Sequence, residues 1–169
     1  MRLLARKAGW CVVLLLAATR GLPQTPDDTT VKARVALAIV RFAEMPGARA
    51  RGSLQLCVAI RGEPPKAILD LARQKVGAQV VELQVGPPFN ACDVLYIHAS
   101  FGKWRELLDE PRAPTLTVGD VPGFLAAGGM VELVIESDAV RFDVNLRALR
   151  EQRIRLPAQV LTLARQVQK

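Results

Sequence analysis

Residues 114–167, PTLTVGDVPGFLAAGGMVELVIESDAVRFDVNLRALREQRIRLPAQVLTLARQV, set the tightest limit on what this chain can fold into. An apolar run, a Gly-Gly break, a hairpin and two short helical patterns follow one another with almost no loop. Such a block has to pack tightly against itself. It is rich in aliphatic and turn-forming residues and poor in side chains that carry out chemistry, so it reads as part of a compact interaction module. MVELVIES and AVRFDVNL, separated by Ser137-Asp138, form an antiparallel pair. LRALREQ and PAQVLTLARQVQ are helical patterns, with Asn145 capping the first and Pro157 opening the second; Val160, Leu161, Leu163, Ala164 and Val167 then face inward.

Upstream, strands and helices alternate. Residues 31–45 carry Val35, Ile39, Val40, Phe42 and Ala43 at helical spacing, ended by Pro46-Gly47. LQLCVAI is a strand, KAILDLARQKV a helix stopped by Gly77, and AQVVELQV and CDVLYIH two further strands. Residues 101–108 form a short helix, LTV a fourth strand, and residues 121–127 a short helix closed by Gly128-Gly129. The pattern predicts an α/β fold: a mostly parallel sheet with helices on both faces, a three-layer Rossmann-like sandwich with an antiparallel C-terminal hairpin at one edge.

The N-terminus decides the compartment. Arg2, Arg6 and Lys7 precede an uncharged stretch through Ala18 that is too short to span a membrane, and small residues follow. This predicts a signal peptide over residues 1–21, with one domain over 22–169 and export across the membrane. Without Arg2, Arg6, Lys7 and Arg20, 19 basic residues face 16 acidic ones, a net of +3 against the +7 of the whole chain. The basic balance is then mostly targeting, and no dense basic patch with interleaved aromatics points to nucleic acid. Two cysteines survive such processing, Cys57 and Cys92, each in a strand-like run. In an oxidising compartment an even pair reads as one disulfide, closing a loop of about 36 residues and contributing roughly 4 kcal/mol in the chain-entropy model. Two free buried thiols are the alternative. No histidine lies at metal-ligand spacing from either, so no metal is expected.

Candidate chemistry is sparse. His98, Ser100 and Asp120 fall at the carboxyl ends of predicted parallel strands, where open sheets bind ligands. A nucleophile, base and orienter can be drawn from them, but Ser100 lies in HASFG rather than G-x-S-x-G, and His98 is the only histidine of the chain. Asp120 reads first as a turn and cap residue. No GxGxxG or Walker lysine is present. A small-ligand crevice at the same place would be lined by His98, Phe101 and Asp120. Trp104 is equally consistent with local core and with an interface anchor. Arg141 and Asp143 alternate with Phe142 and Val144, giving an edge strand with a polar face open to a partner.

LQLCVAI, CDVLYIHAS and the long C-terminal block, taken in that order, resemble the YfiR family of bacterial periplasmic proteins. The Val-Gly-Asp turn, the Gly-Gly before the hairpin, F-x-V-N-L and the closing L-x-L-A-R are the specific elements. The resemblance implies a homodimeric α/β regulator without catalysis or cofactor. It also implies one inner-membrane partner, a diguanylate cyclase restrained through its periplasmic part, and a sequestering outer-membrane OmpA-like lipoprotein. It matches Cys57 and Cys92 to a disulfide pair of that family. The best-known member has a second cysteine pair in the region that here runs from Thr117 to Leu133, and this chain has none there. A periplasmic small-ligand sensor feeding a histidine kinase or outer-membrane receptor is the competing reading.

Overall fold

A computed structural model describes residues 28–47, 52–110 and 113–169; the expected signal peptide lies outside the described residues. The chain runs α1 (Asp28–Phe42), β1 (Ser53–Ala59), α2 (Lys66–Leu69), β2 (Lys75–Val76), β3 (Gln79–Val85), β4 (Val94–Ile97), α3 (Trp104–Asp109), β5 (Leu116–Gly119), β6 (Val131–Glu136), β7 (Ala139–Asn145), α4 (Leu146–Glu151), α5 (Ala158–Leu161) and β8 (Gln166–Gln168). The strands make one eight-stranded sheet in the order β2-β3-β1-β4-β5-β6-β7-β8. Pairings are parallel except β2 with β3 and β6 with β7.

The parallel centre follows from burial on both faces. Every residue of β4 and β5 is buried, the pattern of strands that never meet water. Side chains alternate between two cores. Leu54, Leu56 and Val58 of β1, with Val94 and Tyr96 of β4, join Leu37 and Val40 of α1 and Leu149 of α4 on one face. Cys57, Ala59, Leu95 and Ile97 join Phe89, Trp104, Leu107 and Phe124 on the other. The α/β sandwich expected from the alternating pattern is thus present.

Several local expectations are corrected. KAILDLARQKV is one short helix and then a strand: Arg73 adopts φ +64°, and Lys75–Val76 folds back on β3 across Gly77 at φ +61°. The apolar spacing of Ile68, Leu69 and Ala72 fits a single turn as well as a long helix. PAQVLTLARQVQ divides likewise into α5 and β8; Leu163 is 69% exposed rather than inward, and Q-V-Q pairs with Asp143–Asn145. The hairpin is therefore not the edge of the sheet. Residues 121–128 form successive turns rather than a helix. Asn145 does cap α4, its Oδ1 accepting from the Ala148 amide at 3.1 Å.

Candidate functional site

The carboxyl ends of β4 and β5 hold a buried polar cluster. Asp120, the residue after β5, has a side chain 2% exposed. Its Oδ2 accepts from Tyr96 Oη at 3.2 Å and from Lys32 Nζ of α1 at 3.5 Å, with His98 Nε2 at 4.0 Å. Its Oδ1 has no hydrogen-bond partner among the described residues. Burial, and then the negative Asp120, push the Tyr96 phenol well above its ordinary pKa, so it stays a protonated donor. Asp120 was expected to cap the following turn. Instead it ties α1 to the sheet, because Tyr96 points to the α1 face and Lys32 reaches over from the helix.

The turn is held by a residue that sequence reasoning missed. Glu132 of β6 accepts from the amides of Gly123 at 3.1 Å and Leu125 at 2.9 Å. These turns place Phe124, fully buried, between two glycines. A Cβ on Gly119 would lie 2.6 Å from the ring, and one on Gly129 only 2.2 Å from it. The Val-Gly-Asp and Gly-Gly elements thus serve one purpose, making room for a benzyl ring against the backbone.

His98 and Ser100 do meet, Nδ1 and Oγ lying 3.0 Å apart. The same ring nitrogen accepts from the Ser100 amide, and the Ser100 hydroxyl accepts from the Arg61 amide at 3.0 Å and donates to the Arg61 carbonyl at 3.3 Å. The hydroxyl is thereby engaged in joining the turn after β4 to the turn after β1, an architectural use of a Ser-His pair.

Phe101 and Trp104 lie in the other core. Trp104 is 6% exposed, with its ring 5.8 Å from that of Phe124 and with Arg105 stacked over its outer side at 4.2 Å; Phe101 meets Phe89 edge-on at 6.2 Å. Trp104 is therefore core. The crevice drawn from His98, Phe101 and Asp120 is split by the sheet. Asp143 is also corrected: it is 4% exposed and held by a bidentate Arg165, Nε lying 2.9 Å from Oδ1 and the second contact closer still. The open polar edge is reduced to Arg141, because β8 covers β7 from Asp143 onward.

Cys57 in β1 and Cys92 just before β4 are joined by a disulfide, with Cα atoms 5.7 Å apart. Next to it the Asp93 carboxylate accepts from the Gln55 amide at 2.8 Å, and the Thr115 hydroxyl donates to the Cys92 carbonyl at 2.8 Å. The bond thus sits in a hydrogen-bonded setting that fixes the start of β4.

Together these features define a disulfide-linked α/β sandwich whose strand-end polar groups, Asp120 Oδ1 apart, are directed into intramolecular contacts. The chain belongs to the YfiR/HmsC-like family, whose model matches residues 29–165; members of that family are regulators rather than enzymes. The crystal structure of a conserved domain protein from Vibrio cholerae O1 biovar El Tor strain N16961 is similar, with a TM-score of 0.55 and 14% identity over 82% of this chain and 60% of that one. The present chain thus spans about three fifths of that structure, and at this identity the likeness is one of fold. No curated protein matches the chain.

Proposed function

We propose that this chain is a non-catalytic periplasmic regulator that binds the periplasmic part of an inner-membrane signalling protein of diguanylate cyclase type and restrains it, acting as a homodimer. In this reading an outer-membrane OmpA-like lipoprotein relieves the restraint by sequestering the regulator. The observation that carries the proposal is the family match across residues 29–165, nearly all of the chain beyond the expected signal. The Cys57–Cys92 bond supports an oxidising compartment. A non-catalytic role agrees with a strand-end cluster whose hydroxyl, imidazole and carboxylate are engaged with neighbouring backbone and side chains. Among the described residues, no helix is long and apolar enough to cross a membrane.

Deleting the gene and measuring cellular cyclic-di-GMP tests the reading. A rise that is reversed by the wild-type chain, with the cyclase recovered by crosslinking to it, is the expected result. An unchanged nucleotide level in the deletion strain would refute it.

A further inference from the structure

A trough runs along the outer flank of α1. One cleft of about 580 Å³ is bounded by Thr30, Arg34, Ala38 and Arg41 of α1 and by Ala67 and Gln74 across from them. A second, of about 330 Å³, adjoins it at Arg41 and is floored by Val40, Met45 and Val76. Arg34, Ala38 and Arg41 are exposed and spaced i, i+4, i+7, so they form a single stripe along the helix. Two cations, about 10.5 Å apart along the axis, flank a methyl group. Neither arginine pairs with a carboxylate among the described residues. Asp70, the one acidic residue lining the trough among the described residues, follows α2 and is already engaged by Lys66 of that helix, at 2.5 and 2.7 Å. Arg73 and Lys75, the chain neighbours of the lining residue Gln74, are exposed, and so are the large apolar Leu69 and Phe42, at 45% and 55%.

We propose that this trough is the docking groove for an acidic amphipathic helix of a partner protein, with carboxylates seven residues apart meeting Arg34 and Arg41 and an apolar residue between them seated on Ala38. The inference deepens the regulator reading and rests on it for the partner's identity. Concavity and an apolar floor favour a side-chain ridge over a flat anionic surface. Two guanidiniums that pair with no carboxylate among the described residues, able to take carboxylates in bidentate fashion, set the sign of the charge. A small residue at position 38 is what lets a second helix approach.

The test uses the oxidised protein and two synthetic amphipathic peptides. One carries Glu at two positions seven apart with Leu at the third and fourth positions after the first Glu; the other carries Lys in place of both Glu. Fluorescence anisotropy is expected to show saturable binding of the Glu peptide, weakened at least about tenfold by Arg34→Glu with Arg41→Glu, a variant that in turn gains affinity for the Lys peptide. Ala38→Trp, which fills the floor without changing charge, is expected to weaken Glu-peptide binding as well. Circular dichroism checks that these exposed substitutions leave the fold intact. Equal binding of both peptides, or binding indifferent to the three substitutions, overturns the proposal. So does a loss of self-association on charge reversal, which would make the occupant a second copy, or arginine-dependent binding to phosphatidylglycerol vesicles in preference to the peptide. In cells, a double-reversal variant that still lowers cyclic-di-GMP overturns the groove and leaves the regulator reading standing. A deletion that leaves cyclic-di-GMP unchanged removes that reading while peptide binding still speaks for the groove.

Discussion

Phe124 shows how much one ring determines at the level of single residues. Because hypothetical Cβ atoms on Gly119 and Gly129 would lie within 3 Å of it, Gly129→Ala is expected to destabilise the fold by at least about 1–3 kcal/mol through overpacking. Urea titration measures this, and a smaller side chain introduced by Phe124→Leu in the same chain is expected to recover part of the loss. Tyr96 offers a second test, since it is the only tyrosine of the chain. Its pKa is raised in the folded state, so the stability linked to its neutral phenol is fully present below the unfolded value of about 10 and is lost as pH climbs above that value. Tyrosinate absorbance is expected to appear together with unfolding rather than near pH 10, and Tyr96→Phe to flatten the alkaline fall in melting temperature. The Asn145 cap was legible because its partner amide is three residues away. The role of Asp120 was not, because Lys32 lies 88 residues upstream and only tertiary packing brings it near.

At the level of elements, strands were easier to read than helices. LQLCVAI, CDVLYIH and LTV are apolar on both faces, which leaves few alternatives, and Ser137-Asp138 takes the paired positive φ of a tight hairpin turn. KAIL and AQVL failed as long helices because a four-residue turn shows the same apolar spacing as the start of a longer one, and the strands that follow gain their partners from β3 and β7. Asp143 went the same way. Alternation marked it as polar and outward, whereas Arg165, 22 residues on, neutralises it in place. Arg165→Ala is therefore expected to lower the melting temperature by leaving a buried carboxylate short of its donors, by less than breaking a fully buried pair would because the guanidinium is partly exposed. Differential scanning calorimetry of the variant checks it. Arg141→Ala, at an exposed position, is expected to stay within about 0.5 kcal/mol of wild type.

For the whole molecule, the strand order matters more than the count. From β1 the chain crosses to the outermost strand β2 and folds back into β3 beside β1, then returns to lay down β4 to β8 on the other side, so β1 and β4 are neighbours formed by different halves of the sequence. Four register pairs, Leu56–Val94 to Ala59–Ile97, make that boundary, and Cys57–Cys92 crosses it. Cys57→Ser with Cys92→Ser is expected to lower unfolding free energy by up to about 4 kcal/mol, as read by chemical denaturation. The location of the bond has a further consequence for how the protein comes apart. With the covalent tie present, both windings are expected to exchange their amide hydrogens as one cooperative unit in native-state hydrogen exchange. With it reduced, the 53–85 winding is expected to lose protection before the 94–168 winding, and coincident exchange of the two in the reduced protein would rule out an opening half at a time.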